Sequence, residues 1–305
     1  MNYPAPSGHC RHRSISRGLG ICAKIGFLAI LPMINGQAAQ DTDLRPLSED
    51  SILSGKLGAV GMIVAGDSGA ALSLATGFLI SPCHVLTAAH VLARPGQHVR
   101  LGDPVRFSPS GKNGRAMTQP AWGRVVAADP DFLMSTTAPG FNPPAIARDW
   151  GLVELDQPLK DIEPLKLVFP GARIAPLSSF SIVGYPFGAR QITLHAQEHC
   201  ANWSGHHVSV DMGSMVIVDC AVRQGMSGGP LLIEGNATPL AAGIVVERVE
   251  FGSKVMTVAV PSTTFGDKVV AAMRESEVCA AGSPFAWPPE AANNPQQPSN
   301  RIPDR

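Results

Sequence analysis

All nine histidines of this 305-residue chain precede Ser227. That order constrains the fold more than any other feature, because Ser227 lies in the chain's most distinctive stretch, Arg223-Gln224-Gly225-Met226-Ser227-Gly228-Gly229-Pro230-Leu231. A serine hydroxyl attacks at neutral pH only where a base takes its proton and donors hold the developing oxyanion. Gly225 lets the backbone turn so that its own N–H and that of Ser227 point into one concavity. Gly228 and Gly229 keep side chains out of an approaching substrate's way. Pro230 stiffens the exit into the apolar, strand-like run Leu231-Leu232-Ile233. Any histidine base for Ser227 must therefore come from an earlier part of the chain, folded back onto the loop.

Thr87-Ala88-Ala89-His90 supplies it, after the strand-like run Thr76-Gly77-Phe78-Leu79-Ile80. An acid must be buried against that histidine to fix its tautomer and stabilise the imidazolium. Eight aspartates lie between His90 and Ser227. Asp149 is the choice, since Trp150-Gly151-Leu152-Val153 follows at once and would bury it. Asp156 stands at the far strand end beside Gln157-Pro158, where a solvated turn is expected. The G-x-S-x-G elbow of α/β-hydrolases also fits residues 225–229, but that fold places its histidine after its serine. That class is excluded.

With T-A-A-H, the aspartate strand and G-x-S-G-G-P in this order, the sequence resembles the chymotrypsin-like (trypsin-like) serine proteases, and their bacterial secreted branch in particular. The resemblance covers about residues 55 to 262. It implies an all-β fold of two six-stranded antiparallel β-barrels with a C-terminal helix and an active site between the barrels. His90, Asp149 and Ser227 are then the catalytic residues, and Gly225 and Ser227 form the oxyanion hole. The position six before Ser227 lines the base of the family's specificity pocket. Here it is Ala221, followed by Val222, and the pocket strand carries Val245 and Arg248. Ala221, Val222, Val245 and Arg248 are the expected substrate-binding residues, and the pocket reads as apolar. The resemblance also implies a Cys200–Cys220 disulfide. Cys83 with Cys279 follows only by elimination, and both could equally be buried free thiols.

Several positions depart from the family pattern. Met226 replaces an aspartate that, in digestive relatives, pairs with a newly cut N-terminus. The loop must then be ordered by packing or by a partner. Gly151 stands where alanine is usual. Val246 and Arg248 replace a serine and a glycine. These last changes leave open a non-catalytic secreted binding protein on a protease-like fold as the alternative to a serine endopeptidase.

Composition and patterning agree with a secreted or periplasmic β-protein. Residues 1–39 read as a signal peptide: Arg11, Arg13, Arg17 and Lys24 precede an apolar core, Ile25 to Ile34, and Gly36-Gln37-Ala38-Ala39 offers small residues for cleavage. That core is too short to span a bilayer of ~30 Å as a helix, so no membrane span is expected in the mature form. Removing the segment leaves 20 basic against 24 acidic residues, a net charge of −4. A nucleic-acid partner would favour the opposite sign. Four cysteines remain, an even number that suits an oxidising compartment.

Abundant glycine and proline and short alternating runs place the first barrel with its arm in 40–160 and the second in 161–262. A helix is expected over 263–280, N-capped by Ser262, with Phe265, Val269, Val270 and Met273 on its inner face. A disordered proline-rich tail follows at 281–305. His195-Ala196-Gln197-Glu198-His199 matches the H-x-x-E-H zinc signature, but those residues continue a period-two pattern. On a strand, positions four apart are ~13 Å apart, too far for one ion. No metal and no cofactor is expected, and the partner is a peptide or protein substrate.

Overall fold

The computed structural model describes residues 44–275, apart from short stretches at 48–52, 54–55, 67–72, 112–113, 118, 137–141, 169–178, 188–192, 203–214, 236–237 and 253. The expected signal segment, Cys279 and the proline-rich tail lie outside the described residues.

Six strands form a closed antiparallel barrel: β2 (Val60–Ala65), β3 (Ser73–Ser81), β4 (His84–Thr87), β5 (Pro104–Pro109), β6 (Ala121–Ala128) and β7 (Gly151–Leu155), in the order β2-β3-β4-β7-β6-β5. Val60, Ile63, Phe78, Leu86, Val105, Phe107, Val125 and Leu152 are buried, and strands β4 and β7 are buried along their whole length. Between β4 and β5 lies the single-turn helix α1 (Ala89–Leu92), and before β7 the turn α2 (Pro143–Ile146). Val99 and Leu101 alternate like strand residues with Val105 and Phe107, but the strand begins only at Pro104. Leu101 sits in a turn, 66 % exposed, because Gly102 adopts φ +85° and reverses the chain there.

The second half builds around β9 (Ser179–Gly184), β10 (His195–Ala201), β11 (Val216–Val218), β12 (Pro230–Ile233), β13 (Leu240–Phe251) and β14 (Lys254–Pro261). Their order is β10-β9-β12-β13-β14-β11, and an Asn202↔Val218 bridge brings β10 back to β11. The Cys200–Cys220 disulfide spans the same seam. Two short strands extend this sheet. β8 (Lys166–Leu167) runs parallel to β13, and β1 (Arg45–Pro46) pairs with β10. The N-terminal arm is thus partly strand, with Leu44 and Leu53 buried. Cys83 is also disulfide-bonded, to a cysteine outside the described residues.

Helix α3 (Ser262–Glu275) follows β14. Ser262 does not cap it: it lies inside the helix, and its hydroxyl donates to Val168 O at 2.5 Å, with Ala242 O also close at 3.1 Å. Phe265 and Val269 are buried as expected. Phe265 stacks on Trp150 at 5.7 Å, and Lys268 Nζ reaches Asp129 Oδ2 at 2.9 Å. The helix at the end of the second barrel therefore braces the first one, beside Asp149.

Candidate active site

Strands β4 and β7 are paired, with Thr87 opposite Gly151. This register puts the residues just after β4 and just before β7 at one end of the barrel. His90 lies on α1 and Asp149 in the approach to β7, so the pairing brings together two residues far apart in the chain. Ala88 and Ala89 are fully buried, which lets α1 fold tightly back onto the barrel. A Cβ on Gly151 would come within 2.6 Å of Leu92 Cδ1. An alanine there would have to displace the end of the Leu92 side chain, and glycine leaves that methyl in place.

The Asp149 carboxylate holds His90 at two points. Oδ1 accepts from the His90 backbone N–H at 2.9 Å, and Oδ2 meets Nδ1 at 2.7 Å. A carboxylate only accepts, so Nδ1 carries the proton and Nε2 keeps its lone pair. The imidazole is 27 % exposed and the carboxylate 11 %. Burial is the largest influence on His90 and works against its charged form. The Asp149 charge and hydrogen bond, with a contribution from Glu247, outweigh it and raise the histidine above its ordinary value of 6.5. Of the other described aspartates between His90 and Ser227, Asp129 pairs with Lys268, Asp131 with Arg148 and Asp103 with Arg100, while Asp219 accepts from Ala201 N. Asp211 lies outside the described residues.

Ser227 is half-buried in the loop that leads into β12. Gly228, at φ +84°, sits against the first barrel, where a Cβ would overlap Thr76 O and Thr87 Oγ1 and approach Ala88 N at 3.0 Å. The serine loop therefore abuts the turn that carries His90. No hydrogen bond joins Ser227 Oγ to His90 in this structure; such contacts are often long before substrate binds. Gly225 has φ +94°, and a Cβ there would overlap Tyr185 O. Among the described residues, neither the Gly225 N–H nor the Ser227 N–H donates a hydrogen bond. Met226 N–H, between them, turns inward to Arg223 O at 3.1 Å. Its side chain is fully buried beside Cys200, Cys220 and Val245, so packing orders the loop where relatives use an ion pair.

Thr76 is the residue that sequence reasoning overlooked. It belongs to the first barrel, yet its hydroxyl donates to Gly225 O at 2.8 Å and accepts from Tyr185 N–H at 2.9 Å. Its backbone N–H donates to Ser227 O at 2.9 Å, and its carbonyl accepts from Thr87 Oγ1 at 2.8 Å. One fully buried residue thus ties β3 and the end of β4, which leads to His90, to the serine loop. On the opposite side of Gly225, Gln224 O accepts from Phe187 N–H at 2.7 Å. Both peptide planes that flank Gly225 are therefore pinned. In sequence Thr76 is one more β-branched strand residue, and nothing local marks its role.

The expected pocket residues are spread around the same loop. Ala221 is half-buried, with its N–H on Gln197 Oε1 at 2.9 Å. Val222 and Val245 are buried in the second apolar cluster with Met226. Arg248 is exposed, and its guanidinium meets Glu250 Oε1 at 2.7 Å. The H-x-x-E-H string lies on strand β10. His195 is buried with Nδ1 near Thr193 O, whereas His199 is exposed and bound to Glu234. The helical spacing that zinc ligation needs is not there.

Two antiparallel barrels, with a histidine–aspartate pair on the first against a glycine-rich serine loop on the second, define the class of the two-barrel, chymotrypsin-like proteases. The family model of the trypsin-like peptidase domain matches residues 75–237, more than half of the chain, and the chain belongs to that family. Among solved structures, a Glu endopeptidase in complex with MPD is similar, with a TM-score of 0.53 at 13 % identity, over 77 % of this chain and 97 % of that one. At that identity the likeness concerns the fold alone. No curated protein matches the chain.

Proposed function

We propose that the chain is a secreted serine endopeptidase that cleaves after apolar residues. The observation that carries this reading is the two-point grip of Asp149 on His90 beside a loop whose Gly225 and Ser227 N–H groups have no acceptor among the described residues. Ser227 Oγ attacks the scissile carbonyl while His90 Nε2 takes its proton. The oxyanion is held by the Gly225 and Ser227 N–H groups. The C–N bond breaks, His90 returns the proton to the leaving amine, and an acyl-enzyme remains on Ser227. Water then repeats the sequence and releases the acid.

The apolar preference rests on Ala221 and Val222, which offer no carboxylate to a cationic side chain. Burying an unpaired charge there would cost several kcal/mol, whereas an apolar side chain gains about 25 cal/mol per Å² buried. Secretion rests on the signal-like segment at 1–39 together with the Cys200–Cys220 disulfide. No helix among the described residues is long and apolar enough to cross a membrane.

A fluorophosphonate probe on the purified protein tests the assignment. Covalent labelling of Ser227, lost in Ser227→Ala, supports it. Peptide binding without labelling or hydrolysis would assign the fold to a non-catalytic binding protein, and chelator-sensitive hydrolysis without labelling to a metalloprotease.

A further inference from the structure

Strand β13 changes character beside the serine loop. Up to Ile244 it is flanked by β12, and Val245 is tied to the loop, with its N–H on Gly229 O and its carbonyl receiving Gly228 N–H, both at 2.8 Å. From residue 246 to 251 it keeps β14 on one edge, and among the described residues no strand lies on the other. An open edge next to the attacking group is where an extended peptide can add as a further strand.

The ladder is also irregular at this point. Val245 pairs with Ala259 and Glu247 with Val258, which leaves Val246 as an extra residue. Such a bulge re-aims the side chains that follow it. Val246 turns inward and is buried, and Arg248 points to solvent and is neutralised by Glu250. Glu247, between them, is half-buried. Among the described residues it has no hydrogen bond and no ion pair. It lies within electrostatic reach of both His90 and Asp149. Burial raises its carboxyl above the usual range, Asp149 adds to that, and His90 opposes it. A half-buried carboxylate with no hydrogen-bond donor and no ion pair among the described residues is unfavourable, and this one lines the open edge beside the reacting groups.

Resting on the serine-peptidase reading above, we infer that Glu247 selects a lysine or arginine side chain of the substrate, N-terminal to the residue whose carbonyl Ser227 attacks. The enzyme then reads two features of the acyl side: an apolar residue at the scissile bond and a cationic one before it. Arg248 contributes no charge selection, because its partner is already in place.

Internally quenched peptides test this. They share one apolar residue at the scissile bond and carry Lys, Met or Glu in turn at each position before it. At one of those positions the wild type should favour Lys over Met in kcat/KM by about 5-fold or more, and Glu should be the poorest. The preference should shrink in high salt. E247Q should bring the Lys-to-Met ratio to about one, and E247K should favour Glu. A ratio within each enzyme cancels any general effect of residue 247 on His90. A wild-type ratio near one at every position, or an unchanged ratio in E247Q, overturns the inference. So does an E247Q variant whose only change is a lower pH midpoint, since Glu247 would then serve His90 alone. Fluorophosphonate labelling separates the two levels: an unlabelled protein that cleaves no peptide refutes the serine-peptidase reading and this inference with it, whereas cleavage without charge preference refutes only the inference.

Discussion

Replacing Thr76 by valine removes one hydroxyl and nearly nothing else, since the two side chains have the same shape. In the wild type that hydroxyl satisfies Gly225 O at 2.8 Å and Tyr185 N–H at 2.9 Å, both in the interior. Valine leaves both backbone groups without a partner. Each such loss costs about 1–3 kcal/mol, and easier burial of a methyl than a hydroxyl offsets about 1–2 kcal/mol. A net loss of about 1–4 kcal/mol is expected, or roughly 2–16 °C in Tm for a folded unit of this size.

The catalytic effect should be larger than the stability loss alone implies. The Gly225 carbonyl belongs to the peptide that joins Gly225 to Met226, between the two peptides that carry the oxyanion donors, so freeing it loosens the aim of both. Loss of one such donor costs about 10²–10³ in kcat. The Gln224 O–Phe187 N–H bond remains, so the loop is loosened and not lost. A fall of about 10- to 100-fold in kcat, with KM within about threefold, is the expected outcome. Thr76→Ser keeps the hydroxyl and should recover most of kcat while remaining less stable, since it loses a buried methyl. Circular-dichroism melts, steady-state kinetics on a fluorogenic peptide and the fluorophosphonate labelling rate measure all three. If Thr76→Val loses stability but keeps kcat within twofold at a temperature where it is folded, Thr76 is only a structural link and the reasoning is wrong.

Further outcomes are expected at the other positions. Ser227→Ala should lose about three or more decades of turnover with an unchanged melt, and retained hydrolysis would remove Ser227 from the mechanism. The base must be neutral and His90 is raised above 6.5, so kcat/KM should be full at higher pH and fall as pH drops through a midpoint above that value. A profile flat down to pH ~4 argues against a histidine base. Asp149→Asn should lower that midpoint and reduce kcat by about 10⁴, and an unshifted midpoint would show that Asp149 is not its cause. Gly225→Ala forces a side chain onto Tyr185 O at φ +94°. It should lower kcat by at least as much as Thr76→Val, and wild-type kinetics would show that the loop has room to move. Replacing Cys200 and Cys220 by serine opens a bridge of sequence separation 20 and should cost about 3 kcal/mol, read from denaturant unfolding under oxidising conditions.

The parts of this protein that the sequence by itself determined are those whose physics is local. The glycines around Ser227 permit a loop that other residues would block, and the T-A-A-H turn needs only small neighbours. Asp149 could be chosen from eight aspartates because the four residues after it form a buried strand. Short apolar runs and period-two alternation marked the strands, and the alternation separated the H-x-x-E-H string from a zinc-binding helix. The tertiary structure alone decided what depends on register between distant segments. Thr76 meets Gly225 across 149 positions of sequence, and its hydroxyl has a role only because the two barrels meet there. Glu247 gained its place from a one-residue bulge that no periodicity records, and Ser262 was diverted from capping its helix by carbonyls of β13 and the residue after β8. Local conformation follows from neighbouring residues. A buried hydrogen bond or an unpaired charge is defined by whatever the rest of the chain brings to it.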